Sequence, residues 1–352
     1  MNYDEKYMQR CLDLAVLGAG SVSPNPMVGA VIVCDGRVIG EGYTSPFGGP
    51  HAEINAIEET LRKFGDTEAR LLFKSSTIYV SLEPCAHQGK TPPCADKLVE
   101  CGFKKVVIGC LDPFVKVNGR GVEKLRLGGI ETQVGVLEKK SQFVNRRFFT
   151  RLEQQRPYVI LKWAETRDGY FAPLDDIQRW ISNSASKQLA HKWRAEEDSI
   201  LIGTSTALID NPSLTTRAWK GKNPKRILID KELKVPEAAA VFTGLAETIV
   251  FNSLRSDWGG NRKLIALENF DFYLPQTILY QLYLMDIQSI IIEGGIQTLQ
   301  SFIDADIWDE ARVFVSPLRW GVGRKSPLLP TTDSITTKVG NDLLQRYYRN
   351  KS

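Results

Sequence analysis

His51, Glu53, Cys85 and Cys94 are the residues whose types and spacing most plainly suit chemistry. Imidazole nitrogen and thiolate sulfur are good zinc donors. A catalytic zinc centre takes three protein ligands and leaves a fourth position for water. His51, Cys85 and Cys94 make up such a set. Glu53 stands two residues after the histidine. At the start of a helix that spacing brings its carboxylate near the metal without making it a ligand. From there it can take a proton from an attacking water and hand it to a leaving amine.

The surrounding pattern sharpens the reading. Gly49-Pro50-His51-Ala52-Glu53, followed by Ser81-Leu82-Glu83-Pro84-Cys85, reproduces the His-x-Glu and Pro-Cys signature of zinc nucleobase deaminases. The commonest version puts the second cysteine three residues after the first. Here eight residues separate Cys85 from Cys94. Zinc needs the sulfurs close in space rather than in sequence, so a loop of that length can close. Its own residues Gln88, Gly89, Lys90 and Thr91 are placed to reach a substrate, and Lys90 suits a phosphate. A lone cysteine is more often a buried structural residue than a ligand. The combination reverses that balance, because the chain has only three histidines and His51 and His87 both fall in this region. His87 has three readings: a substrate contact, a replacement ligand, or a hydrogen bond within the loop.

Those side chains need a scaffold. At 352 residues the chain is long enough for about two domains. No apolar run reaches membrane-spanning length, and the N-terminus is charged rather than signal-like. A cytoplasmic protein without membrane attachment is expected. The six cysteines, Cys11, Cys34, Cys85, Cys94, Cys101 and Cys110, all lie in the first third of the chain. A disulfide framework belongs to small secreted domains, and this is not one. The net charge of +4 suits a small phosphorylated ligand and is too weak to argue for nucleic acid.

Periodicity places the motifs. Apolar spacing predicts a helix over 4–17, capped by Asn2 or Asp4 and ended by glycines. Pro24-Asn25-Pro26 is a rigid turn before a hairpin of strands 27–33 and 37–42. A helix over 51–64 carries His51 and Glu53, and an apolar strand over 77–82 leads to Cys85. Pro92 and Pro93 suit entry to a helix that starts near Cys94; its positive end favours the thiolate. A strand at 105–109, a helix at 122–127 and a strand at 131–136 complete an α/β layered domain. The charged helical stretch 137–156 ends at Pro157 and holds the boundary, which divides the chain into 1–147 and 148–352. A second α/β pattern follows. It has strands at 158–163, 199–203, 226–230, 248–251, 289–293 and 311–316, with helices at 185–195, from 204, at 276–285 and at 297–303. Strand, Gly294-Gly295, helix is an arrangement that can bind phosphate, although a tight packing turn has the same sequence. A Gly-x-Gly-x-x-Gly fingerprint is missing, so a standard Rossmann site is not supported.

With both halves in view, the chain resembles the bifunctional deaminase-reductase of riboflavin biosynthesis from about Tyr7 to about Gly323. In the first half the likeness rests on Pro24-Asn25-Pro26-Met27-Val28-Gly29-Ala30, Gly40-Glu41-Gly42-Tyr43, His51-Ala52-Glu53, Leu82-Glu83-Pro84-Cys85 and Gly89-Lys90-Thr91-Pro92-Pro93-Cys94-Ala95. The long loop ending in Thr-Pro-Pro-Cys sets this family apart among zinc deaminases. In the second half it rests on Arg156-Pro157-Tyr158, Leu161-Lys162, Asp168-Gly169, Trp180-Ile181, His191-Lys192-Trp193-Arg194-Ala195, Ile202-Gly203-Thr204, Asp210-Asn211-Pro212, Leu214-Thr215-Thr216-Arg217 and Glu293-Gly294-Gly295.

The resemblance implies a cytidine-deaminase-like α/β/α domain followed by a dihydrofolate-reductase-like α/β domain. It implies two steps: zinc-dependent deamination of a diaminohydroxy-phosphoribosylamino-pyrimidine, then NADPH-dependent reduction of the ribose to a ribityl chain. His51, Cys85 and Cys94 match the zinc ligands and Glu53 the proton shuttle. Asn25, His87 and Lys90 match deaminase substrate positions. Lys162, Arg194, Leu214, Arg217 and Glu293 match reductase substrate positions, where the two arginines suit a phosphate. Trp180, Thr206, Asp210, Gly294 and Gly295 match cofactor positions. A homo-oligomer is expected.

Three positions depart from the family. Thr44 replaces a frequent histidine, Thr166-Arg167 precedes Asp168-Gly169 where a serine is usual, and Gln178 replaces a small hydroxyl at a substrate position. Two other functions fit part of the pattern. A nucleoside or RNA deaminase shares the zinc chemistry but needs basic or aromatic surface for a polynucleotide. A zinc-stabilised scaffold needs a fourth protein ligand. Plain structural roles compete as well: Trp180 in a core, Arg194 and Lys192 on a solvated helix face, and Asp210-Asn211-Pro212 as a turn.

Overall fold

Asn2 starts the first helix. Its side chain accepts from the Glu5 amide at 2.8 Å, and the Glu5 carboxylate accepts from the Asn2 amide at 3.0 Å, a reciprocal cap. The structure is a computed structural model that describes residues 2–86, 92–114, 117–175, 179–330 and 333–349. It divides into two units, one ending at Gln154 and the other beginning at Gln155.

The first unit contains α1 (Tyr3–Ala15), β1 (Gly29–Cys34), β2 (Arg37–Tyr43), α2 (Ala52–Phe64), α3 (Asp66–Phe73), β3 (Thr77–Val80), α4 (Cys94–Cys101), β4 (Lys105–Ile108), α5 (Arg120–Leu127), β5 (Glu131–Val134), α6 (Glu138–Val144) and α7 (Arg146–Gln154). The sheet order is β2-β1-β3-β4-β5. β1 runs antiparallel to both neighbours, and β3, β4 and β5 are parallel. Successive residues of a strand face opposite sides, and the cores follow that rule. Val31, Val33, Tyr79 and Val107 meet Tyr7, Met8, Cys11 and Leu14 of α1. Ala30, Ile32, Ile78, Val80, Val106 and Ile108 meet the apolar faces of α2, α3, α4 and α5. The unit is thus a three-layer sandwich.

Two glycines set how α2 lies on β2. A Cβ on Gly40 would stand 2.4 Å from the Ala56 carbonyl oxygen, and one on Gly42 2.4 Å from that of Ala52. Only glycine permits this approach, and it seats the start of α2, which carries His51 and Glu53. Phe148 and Phe149 of α7 pack on the same core. That contact keeps α7 with the first unit, so the division falls after Gln154 rather than after residue 147.

The second unit contains β6 (Tyr158–Thr166), β7 (Tyr170–Ala172), α8 (Ser184–Glu196), β8 (Ser199–Gly203), α9 (Thr204–Asp210), β9 (Lys225–Ile229), β10 (Thr248–Asn252), β11 (Arg262–Ala266), α10 (Leu274–Leu284), β12 (Ser289–Ile292), α11 (Ile296–Asp304), β13 (Glu310–Ser316), β14 (Arg324–Lys325), β15 (Ile335–Val339) and β16 (Asp342–Tyr348). Its main sheet has nine strands in the order β11-β10-β9-β8-β12-β6-β13-β16-β15. The strands from β11 to β13 are parallel, and the β15–β16 hairpin closes one edge antiparallel. Residues of α10 and α11 bury one face of this sheet, with Val159, Leu161, Ile290 and Ile292. Residues of α8 and α9 bury the other, with Ile200, Ile202, Ile291 and Phe314. Parallel strands covered on both faces read as continuous apolar runs, as Ile290-Ile291-Ile292 does.

Candidate functional site

Three separate pieces of the first unit deliver the candidate metal-binding side chains. His51 is the N-cap of α2, and Cys94 is the first residue of α4. Cys85 lies in the irregular segment after β3. The His51 Nδ1 atom stands 3.3 Å from the Cys94 sulfur and 3.7 Å from the Cys85 sulfur. The three ligand atoms all lie within 4.8 Å of one another. Tetrahedral zinc, with bonds of about 2.3 Å to sulfur and 2.0–2.1 Å to nitrogen, sets sulfur–nitrogen separations of about 3.5 Å. The residues therefore fit zinc in both donor type and spacing. Glu53, the second residue of α2, is 4% exposed.

The protons of this cluster follow from its geometry. The Cys85 thiol is held far below the ordinary range, at about 4, first by a hydrogen bond from the Cys94 thiol and, against burial, by His51 and the Cys94 amide. The same shared bond, with burial, pushes Cys94 up. The bond to Cys85 raises His51 to about 9 against burial. Burial also raises the Glu53 carboxyl, with the His51 charge opposing. The Cys94 thiol and the His51 imidazolium must lose their protons to bind zinc, so loading the site near neutral pH releases acid.

Neighbouring side chains brace the site. Asn145 clamps the turn that carries Asn25, accepting from the Met27 amide at 2.8 Å and donating to its carbonyl at 2.9 Å. Thr44 is buried and accepts from the Val28 amide at 3.1 Å, so it serves the hairpin rather than a ligand. Glu83, also buried, accepts from four backbone amides. His87, Gln88, Gly89, Lys90 and Thr91 lie outside the described residues, as does Gln178.

The second unit gathers a different set. β6 and β12 are parallel neighbours with Leu161 opposite Ile292, so the next residues, Lys162 and Glu293, come side by side. The Lys162 ammonium is 3.1 Å from the Glu293 carboxylate, and Arg194 of α8 reaches its other oxygen at 2.9 Å. Burial alone would raise the Glu293 carboxyl; the charges of Arg194 and Lys162 outweigh it and hold it at about 2. Arg194 is therefore no solvated surface residue. Arg217 is exposed, and its guanidinium donates to the hydroxyls of Ser213 and Thr215 in its own loop. Its amide donates to His191 Nδ1 at 3.1 Å, which joins this loop to the helix of Arg194. The Leu214 side chain is only 2% exposed and belongs to the core; its backbone has φ +54.

Thr206 meets the turn after Glu293. Gly294 has φ +117, and a Cβ there would stand 2.9 Å from the Thr206 hydroxyl. Gly295 is the N-cap of α11. Asp210 ends α9, and burial raises its carboxyl. Trp180 is 67% exposed, with the Lys187 ammonium 4.7 Å from its ring centroid. It is a surface aromatic, not a core residue.

Comparisons with known proteins agree with this division. The family model for the cytidine and deoxycytidylate deaminase zinc-binding region matches residues 1–110. That for the RibD C-terminal domain matches residues 157–343. The riboflavin biosynthesis protein RibD of Aquifex aeolicus is 40% identical over 327 residues, covering 91% of this chain and 88% of that protein. The chain belongs to the RibD family. Its RibD relative from Escherichia coli is 33% identical, covering 89% of this chain and 88% of that protein. Solved structures match over nearly the whole chain. A Thermotoga maritima protein described as a diaminohydroxyphosphoribosylaminopyrimidine deaminase and 5-amino-6-(5-phosphoribosylamino)uracil reductase has a TM-score of 0.88 at 37% identity, covering 97% of each chain. Acinetobacter baumannii RibD has a TM-score of 0.86 at 30% identity, covering 99% of each chain.

Glu83, Asn145 and His191 are the bracing residues that sequence reasoning did not single out. Glu83 and His191 stood inside quoted motifs. Nothing in the sequence marks Asn145.

Proposed function

We propose that this RibD-family chain carries out two consecutive steps of riboflavin biosynthesis. The first unit hydrolyses an amino group from 2,5-diamino-6-hydroxy-4-(5-phosphoribosylamino)pyrimidine, and the second reduces the ribosyl chain of the product to ribityl. The observation that carries this reading is a His51, Cys85 and Cys94 cluster beside buried Glu53, in one chain with a RibD C-terminal domain.

His51, Cys85 and Cys94 would hold zinc, which would supply the Lewis acidity that makes water a nucleophile near neutral pH. The Glu53 carboxylate takes the proton of that water and delivers it to the departing amine, which leaves as ammonia. Asn25, His87 and Lys90 hold the pyrimidine and its phosphate. In the second unit the chemistry that bound NADPH would supply is a hydride. Trp180, Thr206, Asp210 and the amides after Glu293 hold the cofactor, with Gly294 and Gly295 allowing its phosphates close to the start of α11. Glu293 orients Lys162 and Arg194 towards the sugar and its phosphate, and the Leu214 backbone, Arg217 and Gln178 complete the substrate seat. The six free cysteines suit a reducing compartment and support a cytoplasmic enzyme; a homo-oligomer acting on a small molecule, without a nucleic-acid partner, completes the proposal.

Incubation with the diamino compound should release ammonia without NADPH. NADPH oxidation should begin only once the deaminated product has formed. Ammonia released from RNA or free nucleosides, with none from the phosphoribosyl-pyrimidine, would overturn the reading.

A further inference from the structure

Two of the three zinc ligands are fixed by helices, since His51 caps α2 and Cys94 opens α4. Cys85 has no such support, because residues 81–86 form neither helix nor strand. Its sulfur does accept from the Cys94 amide at 3.2 Å, and its carbonyl from the Ala95 amide at 3.2 Å. Both contacts come from the α4 side and leave the other side of the segment to be explained.

Glu83 occupies that other side. One carboxylate oxygen accepts from the amides of Asp112 at 3.2 Å and Gly119 at 3.0 Å. The other accepts from Gly121 at 2.9 Å and Val122 at 3.2 Å. The Glu83 amide itself donates to Cys110 at 3.0 Å. Gly119 is the N-cap of α5, so the carboxylate sits on the positive end of that helix. The residue is 4% exposed, and a buried carboxylate needs such a full set of donors. Between Glu83 and Cys85 lies Pro84, whose ring fixes one backbone torsion. Its carbonyl is also gripped from below, since a Cβ on Gly121 would stand 2.1 Å from it.

We infer that Glu83 is a positioning residue for zinc: its four amide bonds lock Glu83-Pro84-Cys85 onto the start of α5 and so hold the Cys85 sulfur at the distance the metal needs. The inference rests on the zinc site itself and adds what keeps the unsupported ligand in place. Outer partners of metal ligands commonly contribute 10–100-fold to metal affinity. A Glu83→Gln side chain keeps the shape but turns an amino group towards two of the four amides. Gly121→Ala attacks the same segment mainly at the Pro84 carbonyl, 2.1 Å from the added methyl group, which would also press on the Glu83 carboxylate at 3.1 Å.

The test is zinc affinity, by chelator competition on purified full-length protein with zinc alone. Thermal unfolding of the stripped protein and NADPH oxidation on the deaminated pyrimidine run beside it. The inference expects Glu83→Gln to weaken zinc by about 10–100-fold, to regain one zinc per chain at excess metal, and to keep NADPH oxidation. Gly121→Ala should do the same, and it stands in if Glu83→Gln does not fold. Wild-type zinc affinity in either folded variant would overturn the inference, even with a lowered melting temperature, since Glu83 would then merely buttress α5. The zinc reading fails differently: Cys94→Ser with full zinc content would remove it regardless of Glu83.

Discussion

The role proposed for Glu53 is to move a proton without holding the metal, and that division of labour can be measured. Glu53→Gln keeps the size of the side chain but cannot take a proton near neutral pH. Zinc content should stay at that of the wild type while ammonia release falls by about two orders of magnitude or more. NADPH oxidation on the deaminated pyrimidine should not change. Loss of zinc in this variant would make Glu53 a ligand. His191 gives a second test at this scale. Burial first, then the charges of Arg194 and Arg217, lower its imidazole from 6.5 to about 4, with Glu293 pulling the other way and Lys187 adding to the lowering. Between those values the unfolded chain binds a proton that the folded one does not. The stabilisation is therefore complete above about pH 6.5 and is lost as pH falls towards 4. Wild type should lose about 2 kcal/mol relative to His191→Gln between pH 7 and 4.5, read as a convergence of their denaturation midpoints. Parallel pH profiles would show that the imidazole is not held neutral. The titrating residues named by motif were legible in the sequence because chemistry restricts their types. His191 and Glu83 stood inside quoted motifs, but their bracing roles were not legible, because accepting a backbone amide places no demand on spacing.

At the scale of elements, the close seat of α2 on β2 makes its own demand. Gly42→Ala would drive a methyl group into the Ala52 carbonyl, 2.4 Å away, and the Ala56 amide, 2.5 Å away. The helix must move, at about 1–3 kcal/mol, and His51 moves with it. A lowered melting temperature should accompany weakened zinc binding; a stable variant with normal zinc would show that the helix has slack. Buried elements were the readable ones. Strands β6, β8, β9, β10, β12 and β13 announce themselves as apolar runs, and α2 and α8 by their helical spacing. The strands β11, β15 and β16 escaped. β15 is exposed over most of its length, and β11 is an edge strand opening with Arg262 and Lys263, so neither carries a core pattern. A signal did exist: β15 and β16 are joined by Gly340-Asn341, with Gly340 at φ +58, a two-residue loop of hairpin type. Helix α3 escaped because Gly65 reads as a stop; it is the cap between α2 and α3.

For the whole molecule, ligands should stabilise the unit that binds them. Zinc should raise the melting of the first unit and NADPH that of the second, and calorimetry on the stripped chain with each ligand in turn would show it. A zinc-dependent shift in the NADPH-responsive transition would contradict this assignment. The C-terminal hairpin gives the sharper case. Asp342 of β16 accepts from the Asn183 amide at 2.9 Å and the Ser186 hydroxyl at 2.6 Å, at the start of the helix that carries His191 and Arg194. A chain ended at residue 330 should keep zinc and ammonia release while losing NADPH oxidation. During synthesis every chain passes through that state. The first unit is complete once Gln154 has emerged, whereas β16 lies beside β13 yet is made last. At ordinary elongation rates the interval is about 10–40 s. For that time each nascent chain should be a deaminase with no reductase, expected to take up zinc while still attached to the ribosome.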